Sequence, residues 1–348
     1  MFVLYSILLF SFLIFVHEFG HFITAKLSGV QVNEFAIFMG PAIFKKQIGE
    51  TVYSLRLIPI GGFCAMEGED DDTENPRSFR RAKWWKRLII LVSGAAMNFI
   101  VGVLLFFIVF SSYEVLDTPV LSYAEPGCTV VREDGIHVGD RILEINNHKV
   151  YVSDDFSMLM SLSDETPDIV VERDGKKLYF DDYLMEKHRF GDETYDRYGF
   201  SFGLEENSFK NRISYTWNYS IDMIRSVGLS LKLLLSGKAS VQDVSGPVGI
   251  VQVMSDSASQ AGSTKGAIMT ILLFGGFLGI NLAVMNLLPI PALDGGRVVG
   301  LLLTTAVEKI TRKKVSPKVE GYIHGIGMIL LLTLMAVILF KDVIFLFK

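Results

Sequence analysis

Apolar residues gather into four long runs along this chain, at about Phe2–Leu27, Trp84–Phe110, Ala267–Leu288 and Tyr322–Phe340. A helix needs roughly 20 mostly apolar residues to cross about 30 Å of hydrocarbon, so each run predicts a transmembrane helix that satisfies its own backbone in lipid. The first run has neither the basic flank nor the small-residue cleavage site of a signal peptide, and it carries His17, Glu18 and His21 inside it. It predicts a retained span.

Between the runs the period changes. Residues 30–63 alternate apolar and polar around a Gly/Lys-containing middle, which predicts a small sheet of β-hairpins directly after the His-bearing helix. Further on, residues 129–131, 141–145 and 168–173 read as strands, with a polar helix over 154–162. Within them, GIHVGDRILEINNHKV resembles the stretch of a PDZ domain in which a Gly-Asp turn introduces a strand, a fold that binds peptides at a sheet edge. From Phe209 to Leu235, Ile213, Trp217, Ile221, Ile224, Leu231 and Leu235 recur at helical spacing, with Arg212, Asp222, Arg225 and Lys232 off that face. This suits either a helix lying on the membrane surface or one packed on the neighbouring domain.

The predicted fold is a polytopic α-helical membrane protein: four transmembrane helices, a membrane-associated β-hairpin sheet and one inserted extracytoplasmic PDZ-like α+β domain. The boundaries expected are 1–112 for the first two spans and the hairpin region, 113–207 for the PDZ-like domain, 208–262 for the surface helix and an SGPVGI loop, and 263–348 for the last two spans.

Composition narrows the function classes. Half of the 348 residues are hydrophobic and the mean hydropathy is +0.38, too high for an ordinary soluble or disordered chain. A net charge of −5 leaves no basic footprint for nucleic acid. The charges that matter are local. Arg77, Arg80, Arg81, Lys83, Lys86 and Arg87 precede the second run, while Arg312, Lys313, Lys314 and Lys318 lie between the third and fourth, so both loops are expected in the cytoplasm. Segment 113–212 is rich in acidic pairs such as Asp154-Asp155, Asp181-Asp182 and Asp192-Glu193, and falls on the other side with both termini. Cys64 and Cys128 are then on opposite sides and expected to be free thiols. The acidic run Glu67–Asp72 reads as a solvated loop.

The chemistry lies in His17-Glu18-Phe19-Gly20-His21, an HExxH motif. Positions i and i+4 share a helix face, so both imidazoles can hold one metal while Glu18 reaches a water; zinc is the expected ion, one per chain. Ionisable residues inside a span cost roughly 2.5–3.5 kcal/mol each on insertion scales, so three within five positions point to a site. A third ligand is needed. His324 has Glu320 one turn before it but adjoins Gly321, Gly325 and Gly327, where close helix packing is an alternative explanation. Asp294 is the preferred candidate, because Pro289 and Pro291 break the third helix just before it and Gly295 and Gly296 allow a sharp turn. A helix-ending turn with a solvated Asp is the other reading of that segment.

HEFGH, the hairpin segment FAIFMGP to YSLRLIPIGGF, SGAAMN, the PDZ-like stretch, SGPVGI and NLLPIPALDGGR occur in this order over nearly the whole chain. In that order they resemble the site-2 protease family of intramembrane zinc metalloproteases, and within it the bacterial PDZ-containing branch like the regulator of sigma-E protease. The resemblance implies His17, His21 and Asp294 as zinc ligands, Glu18 as general base acting on metal-activated water, and Asn286 beside the substrate or transition state. It also implies that hairpin residues Tyr53, Leu55, Leu57, Gly61 and Gly62 grip an unwound substrate by strand addition. Two departures stand out: Gly94 is followed by Ala95 where the family motif has Pro, and only one PDZ-like unit fits between the spans.

The function so implied is peptide-bond hydrolysis within the transmembrane segment of pre-trimmed single-span membrane proteins, such as anti-sigma factors or remnant signal peptides, in the bacterial cytoplasmic membrane. At about 1.5 Å per residue His17 lies about 24 Å along its helix, toward the cytoplasmic side. The competing expectation is a catalytically inactive membrane scaffold that binds partners through its PDZ-like domain.

Overall fold

The computed structural model describes residues 2–69, 73–190, 195–237, 246–312 and 317–346. The chain opens with α1 (Phe2–Ser28), β1 (Val32–Ile48), β2 (Thr51–Met66) and α2 (Trp84–Phe110). It continues through β3 (Val115–Ala124), β4 (Arg141–Ile145), β5 (His148–Lys149), α3 (Ser153–Ser161), β6 (Ile169–Arg173), β7 (Lys176–Phe180) and β8 (Phe200–Glu206). Five helices follow: α4 (Phe209–Leu235), α5 (Pro247–Gln260), α6 (Thr264–Asn286), α7 (Asp294–Thr311) and α8 (Pro317–Leu346). These elements form two compact units, one of residues 1–106 with 227–348 and one of residues 107–226.

In the first unit, three helices are long and apolar enough to cross a membrane: Leu4–Ser28, Trp84–Phe110 and Thr264–Asn286. α1 stops where Gly29 takes φ 82°. Gly29 N–H then bonds Lys26 O at 3.1 Å and Val30 N–H bonds Ala25 O at 3.0 Å, the paired C-terminal bonds that satisfy orphan carbonyls and turn the chain. That turn delivers it into β1.

β1 and β2 are not a simple hairpin. Positive φ at Phe38 and Gly40 bends β1, and Gly61 bends β2. Glu34–Ile37 is thereby matched with Gly62–Ala65 on one flank and with Val52–Leu55 on the other, while Phe44–Ile48 pairs with Thr51–Leu55. Two long strands thus make four sheet segments, with Gly62–Met66 along one outer edge. Beneath them Phe35, Cys64, Met66, Ala25, Ile90, Leu91 and Leu301 form a core to which α1, α2 and α7 contribute.

α2 and α6 approach closely through small residues. A Cβ at Gly279 would lie 3.1 Å from Asn98 O and 3.2 Å from Gly102 Cα, and one at Gly276 would overlap the Phe106 ring. Small side chains at such a crossing let backbones meet. After α6, Ala292 adopts φ 81°, and Gly295 and Gly296 sit where any side chain would strike the backbone of Leu287, Leu288 or Ile290. The break therefore requires these glycines, and it places Asp294 in the first turn of α7.

The second unit is a six-stranded sheet in the order β7-β6-β4-β3-β8, with β5 paired to β4. Its strand pairs are antiparallel. α3 adds Phe156, Leu159 and Met160 to a core with Ile142, Ile145, Ile169 and Val171. The first part of α4 belongs to this unit and turns its polar side inward: Thr216, Ser220 and Asp222 are buried, whereas Ile213 and Trp217 are exposed.

Several expectations change. Residues 129–131 form no strand, only an isolated bridge from Val131 to Ile136, because turns on both sides leave too few residues for a ladder. The segment expected as the SGPVGI loop is helical from Pro247, with proline at the helix start, where its missing N–H costs nothing; Ser245 lies outside the described residues. α7 was not anticipated. α8 is helical, but its apolar stretch, Gly325–Lys341, is shorter than the other three spans. Asp70–Asp72, Asp192-Glu193, Lys313, Lys314 and the side chains of Lys318, Glu320 and His324 also lie outside the described residues. Gly327 does pack closely, since a Cβ there would overlap Pro291. Both cysteines are free.

Candidate metal centre

α1 places His17 and His21 one turn apart on the same face, and the break after α6 brings Asp294 to them. His17 Nε2 lies 3.1 Å from Asp294 Oδ2, His21 Nε2 lies 3.3 Å from the same oxygen, and the two Nε2 atoms are 3.2 Å apart. Among the described residues this is the one trio of His, Cys and acidic side chains able to hold a metal ion.

The triangle fits a cation. Tetrahedral zinc with ligand bonds of about 2.0–2.1 Å separates its ligand atoms by about 3.3 Å, close to all three edges. Asp294 Oδ2 is buried and makes no hydrogen bond despite its two imidazole neighbours. Three acceptor lone pairs aimed at one point leave a buried oxygen unsatisfied unless a cation sits between them. All three groups are largely shielded from solvent, with side-chain exposures of 12%, 9% and 18% for His17, His21 and Asp294.

The surroundings fix the rings. His21 Nδ1 is 2.8 Å from the carbonyl oxygen of Ile90 in α2. A carbonyl can only accept, so Nδ1 carries the proton and Nε2 offers its lone pair. Thr24 Oγ1 donates to Gly20 O at 2.8 Å and meets Ser93 Oγ at 2.8 Å, which ties α1 to α2 one turn below. Room for the imidazoles comes from Gly94: a Cβ there would overlap His21 Nε2 and stand 2.7 Å from His17 Cε1. Gly94 thus stands against both histidines, and Asn98, one turn further along α2, approaches His17.

Glu18, next to His17, interacts electrostatically with His21, His17, Asp294 and Glu69. It also faces the sheet, since a Cβ at Gly62 would stand 3.7 Å from Glu18 Cγ. Gly62 is therefore the hairpin residue beside the general-base candidate. Gly61 instead packs beside the Met39 side chain. Tyr53 packs its ring on Phe22 at 5.9 Å and Phe35 at 6.5 Å, and Leu55 is paired with both Ile37 and Phe44. A segment with partners on both flanks has no free edge, so the structure separates Tyr53 and Leu55 from any open strand edge. Leu57 is exposed. Asn286 ends α6 with its Nδ2 3.3 Å from His17 Nδ1, and Asn98 approaches the same atom at 3.5 Å. A lone amide within an apolar 27-residue helix was the signal available for Asn98.

Sequence comparison agrees with this architecture. The model of peptidase family M50 matches residues 5–334. A Clostridium perfringens protein with the provisional name zinc metalloprotease is 35% identical over 99% of both chains. Zinc metalloprotease RasP of Shouchella clausii is 30% identical over 98% of each chain, and the regulator of sigma-W protease RasP of Bacillus subtilis is 27% identical over 97% of each. This chain belongs to peptidase family M50, the site-2 protease group that its motifs resemble.

Proposed function

We propose that the protein is an intramembrane zinc metalloprotease that cuts peptide bonds within the transmembrane segments of single-span membrane proteins already trimmed outside the bilayer. The observation that carries this reading is the triangle of His17 Nε2, His21 Nε2 and Asp294 Oδ2, with edges of 3.1–3.3 Å, on helices apolar enough to cross a membrane. Bound there, one zinc supplies Lewis acidity toward a substrate carbonyl and toward water. Glu18 accepts a proton from the attacking water and returns it to the leaving amine.

The substrate segment must be extended before its carbonyl can be reached, and the outer edge at Gly62–Met66 offers backbone groups to hold it by strand addition. Gly62, next to Glu18, would bring that strand to the reacting groups, and exposed Leu57 would offer it a further contact. Asn286, partly buried beside His17 Nδ1, would meet the substrate with its amide. The second unit, an antiparallel sheet with α3 and the first part of α4, acts as a PDZ-like domain outside the cytoplasm, and α4 rests its exposed Ile213 and Trp217 on the membrane surface. α8 supplies the fourth span, both termini are extracytoplasmic, and the membrane is the bacterial cytoplasmic one. The name of the Bacillus subtilis relative, a regulator of sigma-W protease, makes membrane anti-sigma factors the first substrates to test.

The test is Glu18→Gln in purified protein with a single-span model substrate. Normal zinc content with cleavage reduced at least about 1000-fold is expected. A variant that cuts at the wild-type rate would refute the assignment of Glu18, and metal binding without cleavage by wild type would favour a scaffold instead.

A further inference from the structure

His17 poses a problem that the ligand triangle alone does not solve. Its Nε2 points at Asp294 Oδ2 and His21 Nε2, so it can serve a cation only if the proton sits on Nδ1. A metal-bound imidazole normally donates that proton to an acceptor, which fixes the tautomer and raises the basicity of the ligating nitrogen. For His21 the acceptor is Ile90 O. Around His17 Nδ1 stand two carboxamides, Asn286 at 3.3 Å and Asn98 at 3.5 Å, each with its nitrogen nearer.

A carboxamide's oxygen and nitrogen exchange places by a half-turn of its last torsion, and the hydrogen-bond network decides between them. Asn98 is 1% exposed, and its Oδ1 is buried without a hydrogen-bond partner. With nitrogen toward the ring, Asn98 would require a bare Nδ1 and hence a proton on Nε2, in the middle of the three ligand atoms. With oxygen toward the ring, the orphaned Oδ1 gains a donor and Nε2 is freed. Asn286, at the end of α6 and only partly buried, keeps its amide available for substrate.

We propose that Asn98 is the positioning residue for His17, its Oδ1 accepting the Nδ1–H and thereby presenting Nε2 to the metal. The inference rests on the metal-site reading above. It also explains why a buried amide lies between Gly94, which makes room for the two imidazoles, and Gly102, which meets Ile280 and Gly276 of α6. On this arrangement α2 provides both second partners of the histidines, a backbone carbonyl for His21 and a side-chain oxygen for His17.

The experiment is zinc affinity by chelator competition on the full-length, detergent-purified chain, comparing wild type with Asn98→Leu, Asn98→Asp and Asn286→Leu. Asn98→Leu should raise the zinc Kd about 10–100-fold. Asn98→Asp, which keeps an acceptor but loses the NH2, should bind zinc at least as tightly as wild type, a rescue that a packing role would not give. Should Asn98→Leu fail to fold, Asn98→Ala carries the same expectation without added bulk. Unchanged affinity in Asn98→Leu, equal weakening by Asp and Leu, or weakening in Asn286→Leu alone would overturn the proposal. A wild type that binds no zinc would instead remove the metal-site reading, and this inference with it.

Discussion

His21 Nδ1 lies 2.8 Å from the main-chain oxygen of Ile90. The tautomer of one proposed metal ligand is therefore set by the backbone of a different helix, and α1 and α2 must be docked before the site exists. Replacing Ile90 by another apolar residue should leave the carbonyl, and hence zinc binding, intact. The three proposed ligands should behave otherwise: His21→Ala and Asp294→Ala should each reduce a content of about one zinc per chain to near zero in the same detergent. Metal analysis beside a circular dichroism spectrum checks this.

Gly94 makes space that no other residue can leave. Gly94→Ala puts a methyl group into both imidazoles, and overpacking of this kind typically costs about 1–3 kcal/mol. Here it should appear mainly as lost metal affinity, by about 10-fold or more, because the rings are what must move. Gly228→Ala, in α4 where a Cβ meets nothing within 4 Å, should leave zinc binding unchanged and serves as the control.

The second unit carries a buried carboxylate held by a partly exposed arginine. Asp140 is almost fully buried and receives Arg173 Nε at 2.7 Å and Arg173 Nη2 at 2.7 Å, with His137 N–H at 2.8 Å. Burial pushes the Asp140 carboxyl up, but the hydrogen bonds of Arg173 and of the His137 backbone outweigh it and hold it below its ordinary range. Arg173→Ala leaves that buried carboxylate without its charged donor, which costs about 1–3 kcal/mol. Hydrogen exchange should show increased opening of β4 and β6 in this variant.

Asp222 has the opposite disposition. Burial, followed by the hydrogen bond and charge of Asp155, pushes its carboxyl up to about 8, although Arg225 pulls the other way. The unfolded chain releases this proton near pH 4, so between about pH 4 and 8 the folded form binds more protons and stability falls as pH rises. Asp222→Asn should flatten that part of the curve. Hydrogen exchange on α3 and the first half of α4 across this range measures the slope, and a wild-type slope unchanged in the variant would remove Asp222 as its source.

The extended-substrate reading places its weight on one sheet edge. Gly62→Val should raise KM for a helical substrate while leaving zinc content unchanged, because its side chain would press on Ala36 O and approach Glu18. Equal cleavage of helical and helix-broken substrates by wild type would argue against strand addition.

Much of this protein follows from the sequence alone because its strongest constraints are local. Length and apolarity determine the spans, since lipid forces each helix to satisfy its own backbone. HExxH determines two imidazoles able to share one metal, because i and i+4 share a face. The prolines and glycines around Asp294 determine a broken helix end, because those backbone angles and contacts exclude other residues. Tertiary structure decided what depends on several segments at once. Phe38, Gly40 and Gly61 bend two strands into four segments, which made Gly62–Met66 an edge and closed off Tyr53 and Leu55. The docking of α2 made Gly94 the cradle of two imidazoles. It also set the Ile90 carbonyl and the Asn98 amide against the histidines, because a hydrogen-bond partner 69 or 81 positions away leaves no mark in local spacing.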